Sequence, residues 1–326
     1  MHITILGGAG FLGRKIAAAL AASGTLGGSA VTSLTLFDLQ QPTPPLGASF
    51  PVQCLAGDLV DLPPAAIPPG TDVVFHLAAV VSAAAEADYE LGRRVNVRGT
   101  DAVIDACRAL ARPPRVVFTS SVASFGGGQG AMLPDDARQM PGNSYGAQKA
   151  AAELILADAS RRGMLDVVAI RLPTVIIRPG RPNKAASSFV SAILREPLLG
   201  LPATLPVPDD FAVWICSPRR AVDWLLHAAA MDTAPMGPDR GVNPPGLSVT
   251  VGAMLAALDT VRPGAAGLVS RMPNPAIAAI IGTWPAAFTA TRARALGFTA
   301  HEPLGEIVQA FIDDDLEDTR RDRDAG

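Results

Sequence analysis

Ile3-Thr4-Ile5-Leu6-Gly7-Gly8-Ala9-Gly10-Phe11-Leu12-Gly13 joins a short β-branched run, through a glycine turn, to the Ala/Leu-rich segment Leu12 to Ala22. Strand, turn and helix in that order form the context a phosphate-cradling turn requires. Glycines at 7 and 10 permit a tight turn and a close approach of backbone to a pyrophosphate, and Gly13 lets the helix pack on the strand. The next apolar run ends Leu36-Phe37-Asp38. A carboxylate at the tip of a second strand accepts hydrogen bonds from an adenosine ribose and repels a 2′-phosphate, which predicts NAD rather than NADP. The Gly/Ser-rich insertion Gly24 to Ser33 lengthens the gap between Gly13 and Asp38. Ala56-Gly57-Asp58-Leu59 offers a second carboxylate where an adenine amino group could sit.

Working outward, apolar runs at Leu34 to Phe37, Val73 to Leu77, Val116 to Phe118 and Val167 to Ile170 are bounded by turns or charges, with helical stretches at Val97 to Leu110 and Tyr145 to Arg161. Runs this apolar suit strands buried on both faces, so the fold class is α/β, a doubly wound parallel sheet. After about Arg171 the rhythm breaks and proline and glycine crowd in (Pro179, Gly180, Pro182, Pro202, Pro206, Pro208). The expected organisation is a dinucleotide-binding domain over residues 1–175, with 212–245 returning to it, and a smaller substrate-binding lobe built from 176–211 and 246–326. In particular, Ala212 to Ala230 as a strand-helix unit and a short strand near Gly241 are expected to rejoin the main sheet. The tail from Asp313 to Gly326, with seven acidic residues and three arginines, reads as a solvated, partly frayed helix end.

Composition excludes several classes. At 326 residues, 49% hydrophobic and 17% charged, the chain is globular and long enough for two lobes. A net charge of −3 gives no electrostatic case for binding nucleic acid or an anionic membrane. No apolar run reaches the roughly 18 residues of a membrane span, and the first residues read as a strand rather than a signal peptide. Cys54, Cys107 and Cys216 are odd in number and widely spaced, which fits free thiols in a reducing, cytoplasmic setting better than a disulfide frame or a metal site.

The chain has only two tyrosines and three lysines, yet Tyr145 and Lys149 stand four apart on an expected helix, so both face the same way. Chance would supply roughly 0.02 such pairs. A phenol is too weakly acidic to act as a base at neutral pH unless a nearby ammonium and an oxidised nicotinamide favour the phenolate. Upstream, Val116-Val117-Phe118-Thr119-Ser120-Ser121 is a strand ending in hydroxyls, where ligand contacts collect at the carboxyl edge of a parallel sheet.

Gly7, Gly10 and Gly13, Asp38, Asp58, Phe75-His76-Leu77-Ala78-Ala79, Asn96-Val97-Arg98-Gly99-Thr100, the Ser120-Ser121 strand end and Tyr145 with Lys149 together resemble the extended short-chain dehydrogenase/reductase family, the NAD-dependent epimerases and dehydratases, over roughly residues 1 to 180. The resemblance implies a Rossmann fold and NAD as cofactor. It further implies a catalytic set of Ser121, Tyr145 and Lys149, and a homodimer formed through the helices near Val97 to Leu110 and Tyr145 to Arg161. The cofactor-binding positions it implies are Gly7, Gly10, Phe11, Leu12, Gly13, Asp38, Asp58, Leu59, Leu77, Ala78, Ala79 and Asn96, with Tyr145 and Lys149. Ser121 takes the hydroxyl role because it lies four before Phe125, which stands where the family has the Tyr of a Tyr-Gly pair. His76 matches a cleft position and is expected to be structural.

Nucleotide-sugar members usually carry Arg-x-x-Asn where this chain has Arg171-Leu172-Pro173-Thr174, and an arginine where it has Pro208-Asp209-Asp210-Phe211. Both losses weaken the case for a diphosphate substrate. The segments Arg171 to Phe189, Trp214 to Arg220, Asn243 to Thr250, Gly282-Thr283-Trp284-Pro285 and Ala293 to Gly297 instead resemble a branch that oxidises the 2-hydroxyl of a four-carbon, D-erythronate-like sugar acid to the 2-oxo acid. The expected partner is a small sugar acid, with Arg178, Arg181, Lys184 or Arg219 for its carboxylate and Ser82, Ser121, Thr174, Ser187 and Ser188 for its hydroxyls. The rivals are a nucleotide-sugar epimerase or dehydratase with tightly bound NAD, and a noncatalytic NAD-sensing protein on the same fold.

Overall fold

The computed structural model describes residues 1–126, 128, 132–180 and 187–324. Arg181 and Lys184 lie outside the described residues. Six strands come first, β1 (His2–Leu6), β2 (Ser33–Asp38), β3 (Val52–Ala56), β4 (Thr71–His76), β5 (Arg115–Ser121) and β6 (Asp166–Leu172), and a short β7 (Gly241–Val242) joins them late. They form one seven-stranded sheet in the order β7-β6-β5-β4-β1-β2-β3, every pair parallel. The order reverses between β1 and β4, the switch point where a Rossmann sheet leaves a crevice.

Strand periodicity explains the layering. Neighbouring residues point to opposite faces, so Val73, Val117 and Val168 pack with α1 (Phe11–Ser23) on one side, whereas Val74, Val116 and Val167 pack on the other with α3 (Gly99–Arg108) and α4 (Ser144–Arg161). Between β4 and α3 lie α2 (Ser82–Ala87), a short helix Tyr89–Arg93 and a π-helical turn Arg94–Arg98. Helix α1 stops at Gly24, whose φ of 65° supplies the left-handed cap.

A separate apolar core gathers Ile176, Ile177, Ile193, Leu205, Val213 and Ile215 with Met254, Leu258, Ile307 and Phe311. It is clad by α5 (Ser188–Leu198), α7 (Val251–Val261) and α8 (Leu304–Asp314). Between α5 and α7 in sequence, α6 (Pro218–Ala230) does return to the main sheet, sending Trp224, Leu225 and Ala228 into its core, and β7 pairs with β6. The strand Ala212–Cys216 does not. It pairs in parallel with Thr174–Val175 and antiparallel with Leu247–Thr250, because Val213 and Ile215 are satisfied by the second core. The tail also departs from its solvated reading. Its residues Leu316–Asp324 form α9, with Thr319 buried and Arg323 ion-paired to the buried Glu196 at 2.6 Å. The charge of the tail conceals one face that docks on α5. Among the described residues no helix is long and apolar enough to cross a membrane.

Candidate active site

The crevice at the switch point is a cleft of about 710 Å³. Its floor is the glycine turn. Gly7 sits at φ 95°, and a Cβ there would stand 2.8 Å from Ala78 N, so only glycine lets the β1 tip lie against the Leu77-Ala78 backbone. Both Leu77 N and Ala78 N donate to Leu6 O, at 2.9 and 3.0 Å, which ties the two strand ends together. Gly7, Gly10, Phe11, Leu12 and Gly13 face the cleft from β1 and α1, and Leu77, Ala78 and Ala79 face it from the end of β4.

Asp38 lines the cleft at the β2 tip, and its Oδ2 accepts a hydrogen bond from Ala9 N at 3.0 Å. The carboxylate therefore also fixes the glycine turn. Asp58 and Leu59 close the same end. Asp58 caps a 3-10 turn by accepting from Val60 N at 3.0 Å and pairs with Arg94 at 2.7 Å, and this backbone hydrogen bond and the guanidinium hold its carboxyl below the usual range.

Asn96 is placed differently from its expected contact. It does not line the cleft; its Oδ1 accepts from Val80 N at 2.8 Å and its Nδ2 donates to Val80 O and to Gln148 Oε1, at 3.0 and 2.7 Å. Val80 is in the cleft wall, so the buried Asn96 amide clamps that wall from behind. His76 is buried, bonded to Thr100 at 3.0 Å, and burial drops its imidazole to about 3, a neutral core residue.

The reacting end of the cleft is built by two close approaches. Asn143 caps α4 by accepting from Gly146 N at 2.8 Å, and a Cβ on Gly146 would overlap the Ala123 carbonyl. Helix α4 is thereby pressed onto the turn that follows β5, which brings the Tyr145 phenol up to the Ser121 hydroxyl. Ser121 Oγ also accepts from Ala123 N at 3.1 Å. Lys149 Nζ lies 4.5 Å from the Phe118 ring centre and 5.9 Å from that of Tyr145. Phe125 is fully buried, its ring 4.9 Å from that of Phe288, an apolar seat with no need of a phenol oxygen.

The electrostatics differ from the expected division of labour. Burial pushes the Tyr145 phenol above its ordinary value, and what opposes burial is the Arg178 guanidinium and the Ser121 hydrogen bond. Lys149, itself desolvated, is lowered to about 7, so in the protein alone it holds its proton weakly at neutral pH. Arg178 lines the cleft, donates from Nε to Val175 O at 3.1 Å, and has no carboxylate partner among the described residues.

The remaining expected substrate residues are scattered. Thr174 and Ser187 line a small cavity beside the cleft. Ser82 opens α2 and Ser188 opens α5, and neither faces the cleft or that cavity. Arg219 is not brought to the site, because Asp314 holds it at 2.6 Å on the surface. Sequence reasoning named Ser120 at the strand end but gave it no role and missed Arg94 and Asp322; all three line the cleft. Ser120 adjoins the residue chosen and Arg94 precedes Asn96 by two, local signals for both. Nothing local marks Asp322, which reaches the cleft only because α9 docks.

The protein fits NAD. The glycine turn leaves backbone exposed where a side chain would fill the cradle, and Ser120 Oγ is buried in the cleft wall with no hydrogen-bond partner among the described residues. The model of the NAD dependent epimerase/dehydratase family matches residues 3–214. A D-erythronate dehydrogenase of Cupriavidus necator is 46% identical over 96% of this chain and 98% of its own, and one of Haemophilus influenzae is 38% identical over 97% and 100%. The crystal structure of a nucleoside-diphosphate-sugar epimerase from Agrobacterium tumefaciens superposes with a TM-score of 0.91 at 47% identity, covering 97% of this chain and 95% of the other. Likeness at this identity, running from end to end, goes beyond a shared fold: the chain belongs to the NAD-dependent epimerase/dehydratase family.

Proposed function

We propose that this NAD-dependent oxidoreductase is a sugar-acid dehydrogenase that oxidises the 2-hydroxyl of D-erythronate, or a close four-carbon analogue, to the 2-oxo acid. The observation that carries the reading is Arg178, a cation in the cleft beside Tyr145 with no carboxylate of the described residues to neutralise it. A substrate carboxylate next to the reacting carbon is the partner such a group requires. The two D-erythronate dehydrogenase relatives support the same substrate class.

In this reading Tyr145 takes the proton of the 2-hydroxyl and Ser121 orients that oxygen by a hydrogen bond. NAD, when bound, supplies the acceptor for the hydride that leaves the same carbon. Arg178 serves twice: it fixes the carboxylate, and its charge favours the phenolate that burial disfavours. Lys149 stands beneath both rings, where a protonated ammonium would act in the same direction. The glycine turn holds the pyrophosphate, and Asp38 the adenosine ribose. A cytoplasmic homodimer completes the reading, supported by the free thiols and by Leu154 and Ile155, which α4 presents to solvent.

The test is NADH formation by purified protein given NAD and D-erythronate, with D-threonate, L-threonate and a UDP-sugar as comparators and NADP in parallel. Rapid NAD-dependent oxidation of erythronate supports the reading; silence with every acid sinks it. The epimerase name of the Agrobacterium tumefaciens protein favours one alternative, net isomerisation on tightly held NAD. Protein that retains NAD through purification and converts a UDP-sugar without added cofactor would establish that alternative.

A further inference from the structure

Beside the cleft lies a second cavity, of about 20 Å³, that the reaction as described does not use. Val122 and Thr174 are part of its wall, and their chain neighbours Ser121, Pro173 and Val175 line the main cleft, so the cavity lies next to the end of the cleft that holds Ser121. Its size admits one or two water-sized groups. Among the described residues its lining is neutral: it includes Thr174, Ser187, Phe211 and Trp284, and no charged side chain.

Trp284 is the residue that stands out. Its indole Nε1 is buried and has no hydrogen-bond partner among the described residues. A buried donor left unpaired costs free energy unless something arrives to accept from it. The indole is also held firmly where it is. It follows the helix Pro275–Ile281, its backbone N–H donates to Ile281 O at 3.0 Å, and its ring packs between two apolar clusters. Next to it, Thr283 packs against Gly142, where a Cβ would come within 3.1 Å of the threonine side chain. Gly142 directly precedes Asn143, the cap of the helix that carries Tyr145. The indole and the phenol are therefore set by one continuous packing arrangement.

We propose that Trp284 is a specificity-determining residue, its indole N–H donating a hydrogen bond to the hydroxyl at the end of the substrate distal to the carboxylate. The proposal rests on the sugar-acid reading above and extends it to the far end of the molecule. With the carboxylate at Arg178 and the 2-hydroxyl at Tyr145, a four-carbon chain has its 3-hydroxyl and a terminal hydroxymethyl group left to place, and a small cavity with one unpaired donor matches the terminal group. The described lining offers a carboxylate no cation, and burial of a carboxylate without one is costly. A nucleoside diphosphate does not fit, since it exceeds the volume many times over.

The test compares D-erythronate with its 4-deoxy analogue on wild-type protein and on Trp284→Phe, which keeps an aromatic ring and removes the donor. Wild type should favour D-erythronate in kcat/KM by about tenfold. In Trp284→Phe the D-erythronate value should fall by about that factor while the 4-deoxy value stays, so the preference collapses toward unity. Retention of the wild-type preference by the variant overturns the proposal. Should the variant fail to fold, wild type decides alone: equal use of the two acids overturns the role of the cavity. If wild type oxidises neither acid, the reaction reading has failed, and calorimetric titration of the NADH-loaded protein with the same two acids then judges the site. Tighter binding of D-erythronate that Trp284→Phe abolishes would sustain it, and equal affinity would overturn it.

Discussion

Replacing Gly7 with alanine tests the joint on which the cleft depends. Two costs add. An L-residue at φ 95° is strained, by about 1–2 kcal/mol. The new methyl would stand 2.8 Å from Ala78 N, 3.1 Å from Leu77 C and 3.2 Å from Ala78 Cα, all backbone, so a strand end must move, and such overpacking costs about 1–3 kcal/mol. The sum is about 2–5 kcal/mol. For 326 residues the unfolding entropy converts that to a fall in Tm of about 3–7 °C. The displaced Leu77-Ala78 backbone is itself the opposite wall of the cofactor cleft. NADH affinity should therefore drop at least about tenfold, one lost interaction of about 1.4 kcal/mol. Calorimetric melting and fluorescence titration with NADH measure the two effects. Gly305→Ala, in α8 with nothing within 4 Å of the new methyl, is the control and should hold or raise Tm. A Gly7→Ala protein that melts within about a degree of wild type and binds NADH within about threefold would refute the reasoning.

Other expectations concern the reacting groups. Tyr145→Phe should lower kcat by about 10²–10⁴-fold with NADH affinity nearly unchanged; residual turnover above about a tenth of wild type would remove Tyr145 from the proton step. Arg178→Met should raise KM for D-erythronate about a hundredfold through loss of charge-assisted hydrogen bonds, and should move the rising limb of the kcat/KM profile to higher pH, because Arg178 favours the Tyr145 phenolate, the form that accepts the proton. An unmoved profile would limit Arg178 to binding. Asp38→Asn should cut the preference for NAD over NADP at least about tenfold, read from paired kcat/KM values, while the amide oxygen still accepts from Ala9 N. Lys149 falls from 10.5 to about 7 on folding, so between those pH values the unfolded chain binds a proton the folded one does not. Its linkage therefore makes stability rise with pH across that window, and the gain is lost as pH drops through about 7. Urea unfolding over this range should show a rise in wild type that Lys149→Met lacks, and parallel curves would contradict the burial of an ammonium there.

The parallel sheet, the glycine turn, the Asp38 tip and the Tyr145-Lys149 pair were legible because each is a short-range pattern. A strand buried on both faces is apolar throughout, a turn against a neighbouring backbone needs glycine, and two residues four apart on a helix share a face. The helix α6 and the strand β7 were legible for the same reason. The strand Ala212–Cys216 was misplaced because its apolar residues suit either sheet, and only the second core, assembled from segments up to Phe311, decides between them.

Side-chain partners follow the same division. The chain alone determines that Asn96, Arg219 and Arg178 are polar and where they fall along it. Only folding turns the Asn96 amide onto Val80, gives Arg219 to Asp314 and leaves Arg178 facing Tyr145. The same holds for Asp322, carried to the cleft by α9, and for the Trp284 indole, buried without a partner among the described residues. Periodicity fixes which face a residue takes within its own element; which charge or donor it meets depends on other segments of the chain, brought together by the burial of apolar surface that polar residues merely accompany.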